Sequence, residues 1–477
     1  MSELHFPWLE LSVLLPLLGA LFVSRLRSSE DEYRWSLFFQ ALTLVSAICA
    51  WQDFESLHVL RADDRWHFLQ RIFGRPILVV DQLSAPLLAL AALQFLLTTF
   101  ATLRTKVKRF SFVSALVSES LVIATFSCQE PWVVIALLAA ATLPPYFELR
   151  SRGRPTRVYA LHMSLFVALM VAGWSYVTWE GVSQAHSLWA VIPLLGAVFI
   201  RSGICPVHCW MTDLFEHATF GTALLFTTPI TGAYFAVRIV LPVAPEWVLH
   251  SIGIISLVTA VYAGGMALVQ REARRFFCYL FLSHSAMVLV GMELVTPIGL
   301  TGALCVWLSV GLSLLGFGLV LRALEARRGR LFLRDFQGLY DHTPTLAVCF
   351  ALTGLASVGF PGTIGFVGME LLVDGAVEAY PYIGATVVVA AALNGIAIVQ
   401  VFFRLFTGTR HVSSVSLGIG RRERIAVLCT AALMVIGGLV PQPGVATRYR
   451  AAMELLRYRA DQLGEPPPQE QTGHGSH

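Results

Sequence analysis

PIGLTGALCVWLSVGLSLLGFGLVL, residues 297–321, contains no charged side chain. A helix needs roughly 20 apolar residues to cross a bilayer, and this stretch exceeds that length. The rest of the chain has the same character, since 56% of its 477 residues are hydrophobic and only 13% are charged. Soluble globular proteins carry about 25% charged residues. We therefore predict an all-α integral membrane protein without a soluble catalytic domain.

Working outward from this stretch, we find similar apolar segments along most of the chain. The sequence predicts about fourteen spans, at 7–25, 35–52, 78–102, 112–128, 131–148, 158–178, 187–205, 218–240, 246–268, 276–293, 297–321, 343–372, 382–406 and 423–440. The remaining residues at the C-terminus, 448–477, become polar and proline-rich. They predict a short tail, with an amphipathic stub over roughly 448–463 followed by disorder.

Lysine and arginine are unevenly distributed between the loops. Loops after spans 3, 5, 9, 11 and 13 are rich in them, whereas loops after spans 4, 6, 10 and 12 contain none. Basic loops mark the cytoplasmic side of a membrane protein. This alternation supports the span count and predicts that both termini lie outside, on the periplasmic face of a bacterial inner membrane. The loop after span 2 is an exception, because it carries Arg61, Arg65, Arg71 and Arg75 on the outer side.

Several ionisable residues fall at membrane depth, where they are costly and usually functional. The candidates for a proton path or a charge pair are Glu119, Arg201, His208, His217, His284 and Glu370. Histidine can carry protons near neutral pH, and the alternative for each one is a hydrogen-bonded core residue. Because an unpaired charge in a bundle core is very costly, we predict an ion pair between Glu119 and Arg201.

Two prolines, Pro206 and Pro361, lie in or beside spans 7 and 12. Proline interrupts a helix, and an interrupted membrane helix is tolerated only where protein or water covers the freed backbone. Broken helices 7 and 12 occupy corresponding places in two five-helix halves, at about 112–240 and 246–406. This arrangement is typical of transporters built from inverted repeats. Common proline kinks in membrane helices are the alternative interpretation.

No cofactor or metal site is predicted. The cysteines form no C-x-x-C pair and there is no glycine-rich nucleotide loop. Cys205, His208 and Cys209 have helical ligand spacing, but Pro206 lies inside the group and no fourth ligand is evident.

Six short strings occur in order along the chain: VVDQLS at 79–84, Glu119 with VIATF at 122–126, PVHCWMTD at 206–213, Arg274-Arg275 with Tyr279 and Ser283-His284, GFPGT at 359–363 with FVG at 366–368, and PQP at 441–443. Together they resemble the antiporter-like subunits shared by respiratory complex I, Mrp sodium/proton antiporters and membrane-bound hydrogenases. The M-type subunit of complex I is the nearest match. By this resemblance, Asp81, Pro206, Asp213 and Pro361 are structural motif residues, and residues 1–447 form one proton-conducting transmembrane domain.

The resemblance also exposes departures from the family's mid-membrane row of charged residues. The family's span-5 glutamate falls on Ala139, its span-7 lysine on Arg201 and its span-8 lysine on Ile230. The span-11 histidine falls on Val310 and the span-12 glutamate on Met369, one residue before Glu370. The chain's lysines, Lys106 and Lys108, are both in one basic loop. Arginine cannot release its proton as a desolvated lysine can, so the family's proton switch is missing.

We therefore predict a non-catalytic membrane subunit of a complex I-like NADH:quinone oxidoreductase assembly, which takes part in proton translocation or scaffolds it. Its partners would be other membrane subunits and lipid, and it would bind no nucleic acid. Two alternatives remain open. One is a subunit of an Mrp-like cation/proton antiporter or of an inorganic-carbon-uptake complex, and the other is a non-conducting structural subunit.

Overall fold

The computed structural model describes residues 2–66, 74, 76–103, 110–181, 186–409 and 418–464. Lys106, Lys108, Arg71, Arg75 and the tail after residue 464 lie outside the described residues. The described part of the chain is almost entirely helical. Its α-helices are α1 (Trp8–Val23), α2 (Ser29–Leu57), α3 (Ser84–Phe100), α4 (Phe112–Ser127), α5 (Pro131–Ala141), α6 (Leu143–Ser151), α7 (Arg157–Glu180), α8 (Leu188–Ser202), α9 (Cys209–His217), α10 (Phe220–Thr227), α11 (Thr231–Phe235), α12 (Glu246–Val269), α13 (Ala273–Glu293), α14 (Pro297–Arg328), α15 (Pro344–Ser357), α16 (Ile364–Ala379), α17 (Pro381–Phe406), α18 (Arg421–Leu439) and α19 (Gln442–Leu463).

A helix lies in each of the fourteen segments that the sequence analysis predicted. By length and composition, eight segments of the described chain could cross a membrane, or nine if α18 and α19, which bend by 79° at their junction, count as one span. Five further apolar helices are shorter: α1, α3, α4, α8 and α15. The prediction of an all-α membrane protein is therefore confirmed.

Helix α14 forms the centre of the bundle. Its apolar portion is 94% buried within the chain, whereas the corresponding portions of α2, α7 and α17 are only 33% buried. Glycines on α14 allow neighbouring backbones to come close: a Cβ on Gly302 would lie 2.4 Å from the Leu372 nitrogen of α16. Peripheral helices therefore present apolar side chains outward, as a lipid-facing surface requires, while α14 is enclosed by protein.

Three interruptions divide the interior helices. The first, residues 203–208, contains Pro206 and separates α8 from α9, and the second, residues 358–363, contains Pro361 and separates α15 from α16. Both lie at the prolines that predicted them. The third was not predicted: Thr228, Pro229 and Ile230 separate α10 from α11, and Ile230 has a left-handed backbone with φ 51°. A π-helical turn, Ala236–Val240, follows α11.

A small sheet and the last helix close one end of the bundle. Strand β2 (Arg61–Asp63) lies between β1 (Ser2–Glu3), to which it is parallel, and β3 (Val79–Asp81), to which it is antiparallel. Helix α19 begins at Gln442, six residues before the predicted stub. Arg448 donates to the Leu83 and Gln82 carbonyls, and Arg459 donates to those of Leu241 and Ala244. The tail helix is thus fixed to the ends of other helices by its arginines.

Candidate functional site in the membrane interior

The candidate site is built around the third interruption, where α10 stops and α11 starts. A broken helix leaves backbone carbonyls without intrahelical donors, and inside a bilayer each must find another donor. Three side chains from distant helices provide them. Arg201 Nη2 donates to Phe226 O at 3.5 Å, Gln94 Nε2 to Thr228 O at 3.3 Å, and Trp307 Nε1 to Pro229 O at 3.2 Å.

Arg201 lies in the last turn of α8 and is 5% exposed. Its Nη2 also donates to Thr231 Oγ1 at 2.6 Å, and its guanidinium stacks 4.1 Å from the centre of the Phe226 ring. Gly232 permits this approach, because a Cβ there would lie 2.5 Å from Ser202 Oγ. The guanidinium is therefore held by a hydroxyl, a carbonyl and an aromatic face.

Glu119 does not pair with Arg201: within the described chain no carboxylate lies within 4 Å of this guanidinium. The predicted ion pair is therefore wrong. Glu119 is on α4, fully buried, and neither of its carboxylate oxygens has a hydrogen-bond partner. The Gln40 amide of α2 lies beside it without a hydrogen bond of ordinary geometry. The prediction failed because it took charge as the only way to stabilise a buried guanidinium, whereas a broken helix also supplies acceptors.

A cavity of about 10 Å³ lies against Arg201. Its walls come from both halves of the chain, since Phe281 and Ser285 of α13 line it together with Thr231 and Ile230. A cavity needs at least about 10–15 Å³ to hold one water molecule. The space beside the guanidinium can therefore accommodate about one water.

His284 lies on α13 and is 1% exposed. Its Nδ1 donates to Leu280 O at 2.7 Å, while Nε2 is unpartnered and faces the Ser357 carbonyl end of α15, at the second interruption. The adjacent Ser283 hydroxyl donates to Ala260 O at 2.7 Å and accepts from Asn394 Nδ2 at 2.8 Å. His284 therefore joins α13 to the second broken helix with one ring nitrogen still free.

Glu370 lies at the surface of the chain. It is exposed on the outer face of α16, whereas Met369, the position matched to the family's glutamate, is 8% exposed. The 100° turn between adjacent helical residues places their side chains on different faces. The expectation that Glu370 contributes to an interior path within this chain is therefore corrected.

The other two candidate histidines lie near α9. His208 is 9% exposed and packs between the rings of Tyr262 and Tyr279, at 5.7 and 6.0 Å between ring centres. His217 pairs with Asp213 at 3.2 Å and lines a charged cavity at the surface. Pro206 and Pro361 are both exposed within their interruptions. The structure thus groups Arg201 with α13, and separates both from His217 and Glu370.

Asp81, on strand β3, organises a second buried polar group. It forms an ion pair with Arg238 of the π-helical turn, and it accepts from Gln129 Nε2 at 2.9 Å and Ser84 N at 2.8 Å. This geometry suits the structural role expected for Asp81.

Sequence reasoning missed Gln94, Trp307 and Thr231. Gln94 also donates to Gly311 O at 3.0 Å, and so connects α3, α14 and the third interruption. Pro229 was the available signal for that interruption, because proline disfavours a continuous helix. Pro229 was not taken as a sign of a break because it lies within an otherwise unbroken apolar run.

Comparison with known proteins supports the family expectation. Residues 160–394 match the family model described as NADH:quinone oxidoreductase/Mrp antiporter, TM. NAD(P)H-quinone oxidoreductase chain 4 3 of Trichormus variabilis is 25% identical, and the match covers 93% of this chain and 90% of that protein.

Solved structures of the same fold extend over nearly the whole chain. A chain of respiratory complex I from Thermus thermophilus has a TM-score of 0.82 at 22% identity, covering 94% of this chain and 99% of that one. A chain of the Mrp complex from Dietzia sp. has a TM-score of 0.80 at 18% identity, covering 95% and 99%. The resemblance predicted from the sequence is therefore confirmed: the chain is similar in sequence to NAD(P)H-quinone oxidoreductase chain 4 and shares its fold with chains of complex I and of an Mrp complex.

Proposed function

We infer that this chain is a membrane subunit of a complex I-like NADH:quinone oxidoreductase assembly, in which it takes part in proton translocation or scaffolds it. The names of its relatives support the assembly, and the fold shared with chains of complex I and Mrp complexes supports the place of the chain within it. We also propose that the chain conducts protons poorly along the path that corresponds to the family's mid-membrane row of charged residues.

The observation that carries this proposal is the immobilised, nearly dry surroundings of Arg201. Its guanidinium is bound by Thr231 and Phe226 and has room for about one water. Ile230 and Val310, at two other positions of the row, are buried and apolar. Moving charge through hydrocarbon costs several kcal/mol, so each such position adds a barrier. These features favour a scaffolding role over a conducting one.

We further propose fourteen spans, with two inverted repeats at about 112–240 and 246–406 and both termini outside. The eight long segments, the five shorter apolar helices and α18 together supply fourteen spans, with α15 and α16 as the two parts of span 12. Reporter fusions after residues 155 and 330 should both report a cytoplasmic location. A periplasmic signal at either fusion would contradict this topology.

Exposed carboxylates on α16 support a subunit role. Glu370, Asp374 and Glu378 recur every four residues on one exposed face of this helix. Charged side chains that face lipid within a span are costly, so such residues normally face protein or water. We propose that another membrane subunit covers this face in the assembled complex.

Proton flux into proteoliposomes under an imposed membrane potential tests the conduction proposal. We expect the wild-type chain to remain near the leak of protein-free vesicles, with an intact conducting family member as the positive reference. Ala139→Glu combined with Arg201→Lys should not raise the flux, because Ile230 and Val310 stay apolar. Flux comparable to the reference, and abolished by His284→Ala or Glu370→Gln, would overturn the proposal and favour a path through the histidines.

A further inference from the structure

A large apolar groove opens between α4 and the α5–α6 junction. Its volume is about 1180 Å³. One face of α4 and one face of the α5–α6 pair supply its apolar walls, namely Val113, Val117, Leu121, Ala140, Leu143 and Phe147. Leu143 and Phe147 are 49% and 56% exposed, so the groove opens on the outer surface of the bundle. An elongated hydrocarbon group would fit this shape and chemistry.

One end of the groove is charged. Phe110, Arg152 and Arg154 line the groove and also line an adjoining cavity of about 230 Å³. That cavity is lined by arginine and glutamate side chains, so it is charged where the groove is apolar. The two spaces therefore meet at a pair of arginines on a loop that we assign to the cytoplasmic surface.

The carboxylates near this junction are already neutralised by arginines. Glu325 accepts from Arg274 at 2.7 Å, Glu216 from Arg275 at 2.6 Å, and Glu148 pairs with Arg152 at 3.6 Å. Glu423 pairs with Arg327. Within the described chain, Arg154 has no carboxylate partner within 4 Å and is exposed. A positive charge therefore remains unmatched where the groove meets the charged cavity.

We propose that this groove binds an anionic glycerophospholipid, with an acyl chain between α4 and α6 and its phosphate at Arg154 and Arg152. Guanidinium groups bind phosphate oxygens through paired hydrogen bonds. The apolar groove accounts for the acyl chain, which neither a free phosphate nor a soluble anion possesses. The cytoplasmic leaflet is also where anionic lipids attract basic residues. This inference requires the chain to lie in a bilayer, but it is independent of proton conduction.

The test measures phospholipid retained by the purified full-length chain in nanodiscs of equal phosphatidylglycerol and phosphatidylcholine, by native mass spectrometry. The wild type should retain phosphatidylglycerol preferentially. One basic residue near a membrane surface contributes about 1 kcal/mol, which corresponds to about fivefold in affinity. Arg154→Gln should therefore reduce retention about fivefold and Arg154→Lys should largely restore it. The matched control is Arg157→Gln, an exposed arginine of the same loop that lines neither space.

Two further variants test the proposed acyl-chain contact in the groove. Leu143→Trp fills the groove at a half-exposed position and should also abolish the preference, while Val117→Trp gives a second variant from the opposite wall. Leu161→Trp, on the exposed face of α7, is the control. Retention unchanged in both Arg154→Gln and Leu143→Trp would overturn the proposal. The proposal would also be overturned if only Arg154→Gln lost phospholipid retention and inorganic phosphate displaced the lipid. That result would indicate a site for a free anion. A third contrary result would be a membrane polypeptide that co-purifies with the wild type in place of lipid and is lost in Leu143→Trp. It would assign the groove to a partner helix and overturn the lipid proposal.

Discussion

The two interrupted regions of the bundle treat their polar groups differently. At the break between α10 and α11, three freed carbonyls accept hydrogen bonds from Arg201, Gln94 and Trp307. At the break between α15 and α16, His284 approaches the Ser357 carbonyl with an unpartnered Nε2. The first region uses its charge to stabilise the backbone. The second leaves one nitrogen of a buried imidazole without a hydrogen-bond partner beside the break.

This difference shows that burial alone does not determine the role of an ionisable residue. The resemblance aligns Arg201 with the family's span-7 lysine, yet the contacts of Arg201 are those of a residue that stabilises a broken helix. His284 is equally buried, but one of its ring nitrogens makes no hydrogen bond.

The largest effect should come from removing the acceptor that Arg201 uses. Thr231→Val deletes a hydrogen bond to a buried charge, and such bonds contribute about 1.5–3 kcal/mol. We expect a loss of that size, measured as a lower thermal unfolding midpoint in detergent. Thr227→Val is the matched control, because the Thr227 hydroxyl bonds only carbonyls of its own helix. Equal losses of stability in Thr231→Val and Thr227→Val would show that the Arg201 contact does not contribute more than an ordinary hydrogen bond within a helix.

Trp307→Phe should have the next largest effect. The phenyl ring retains most of the packing but leaves the Pro229 carbonyl without its donor, which costs about 1–2 kcal/mol in a buried site. The same unfolding measurement applies. Trp189→Phe, at a 74% exposed position, should be neutral. An unaffected Trp307→Phe variant would mean that water satisfies this carbonyl.

Ser283→Ala probes the second region and should cost about 1 kcal/mol, the ordinary value for neutral hydrogen bonds. Its hydroxyl connects Ala260 of α12 with Asn394 of α17. Ser285→Ala serves as the control, since that hydroxyl bonds only Leu282 of its own helix. A loss as large as that of Thr231→Val would erase the proposed contrast between the two regions.

Glu119→Gln should have the smallest effect, a change below about 0.5 kcal/mol. Neither carboxylate oxygen accepts a hydrogen bond, and the amide has the same size. Chemical denaturation of the purified chain, with the wild type alongside, would measure it. A loss above about 1 kcal/mol would contradict this expectation, because it would reveal a contact that only the carboxylate makes.

Local properties of the sequence were enough to predict the helical segments and two of the three interruptions. Apolar length identifies a span, and Pro206 and Pro361 disfavour continuous helix wherever they occur. The same reasoning placed Glu370 at membrane depth, one residue after the position matched to the family's glutamate, and left the face on which it lies open. The structure places it outside, since one residue along a helix is a rotation of about 100°.

By itself, the sequence determined that this is a helical membrane protein with an apolar interior and without a lysine in its spans, because these properties belong to single segments. The tertiary structure alone decided which polar groups meet. Thr231 is 30 residues from Arg201, and Gln94 is 134 residues from the Thr228 carbonyl that it satisfies. Such pairs depend on how distant helices pack and on the direction in which a broken helix restarts. No local pattern of residues fixes either one.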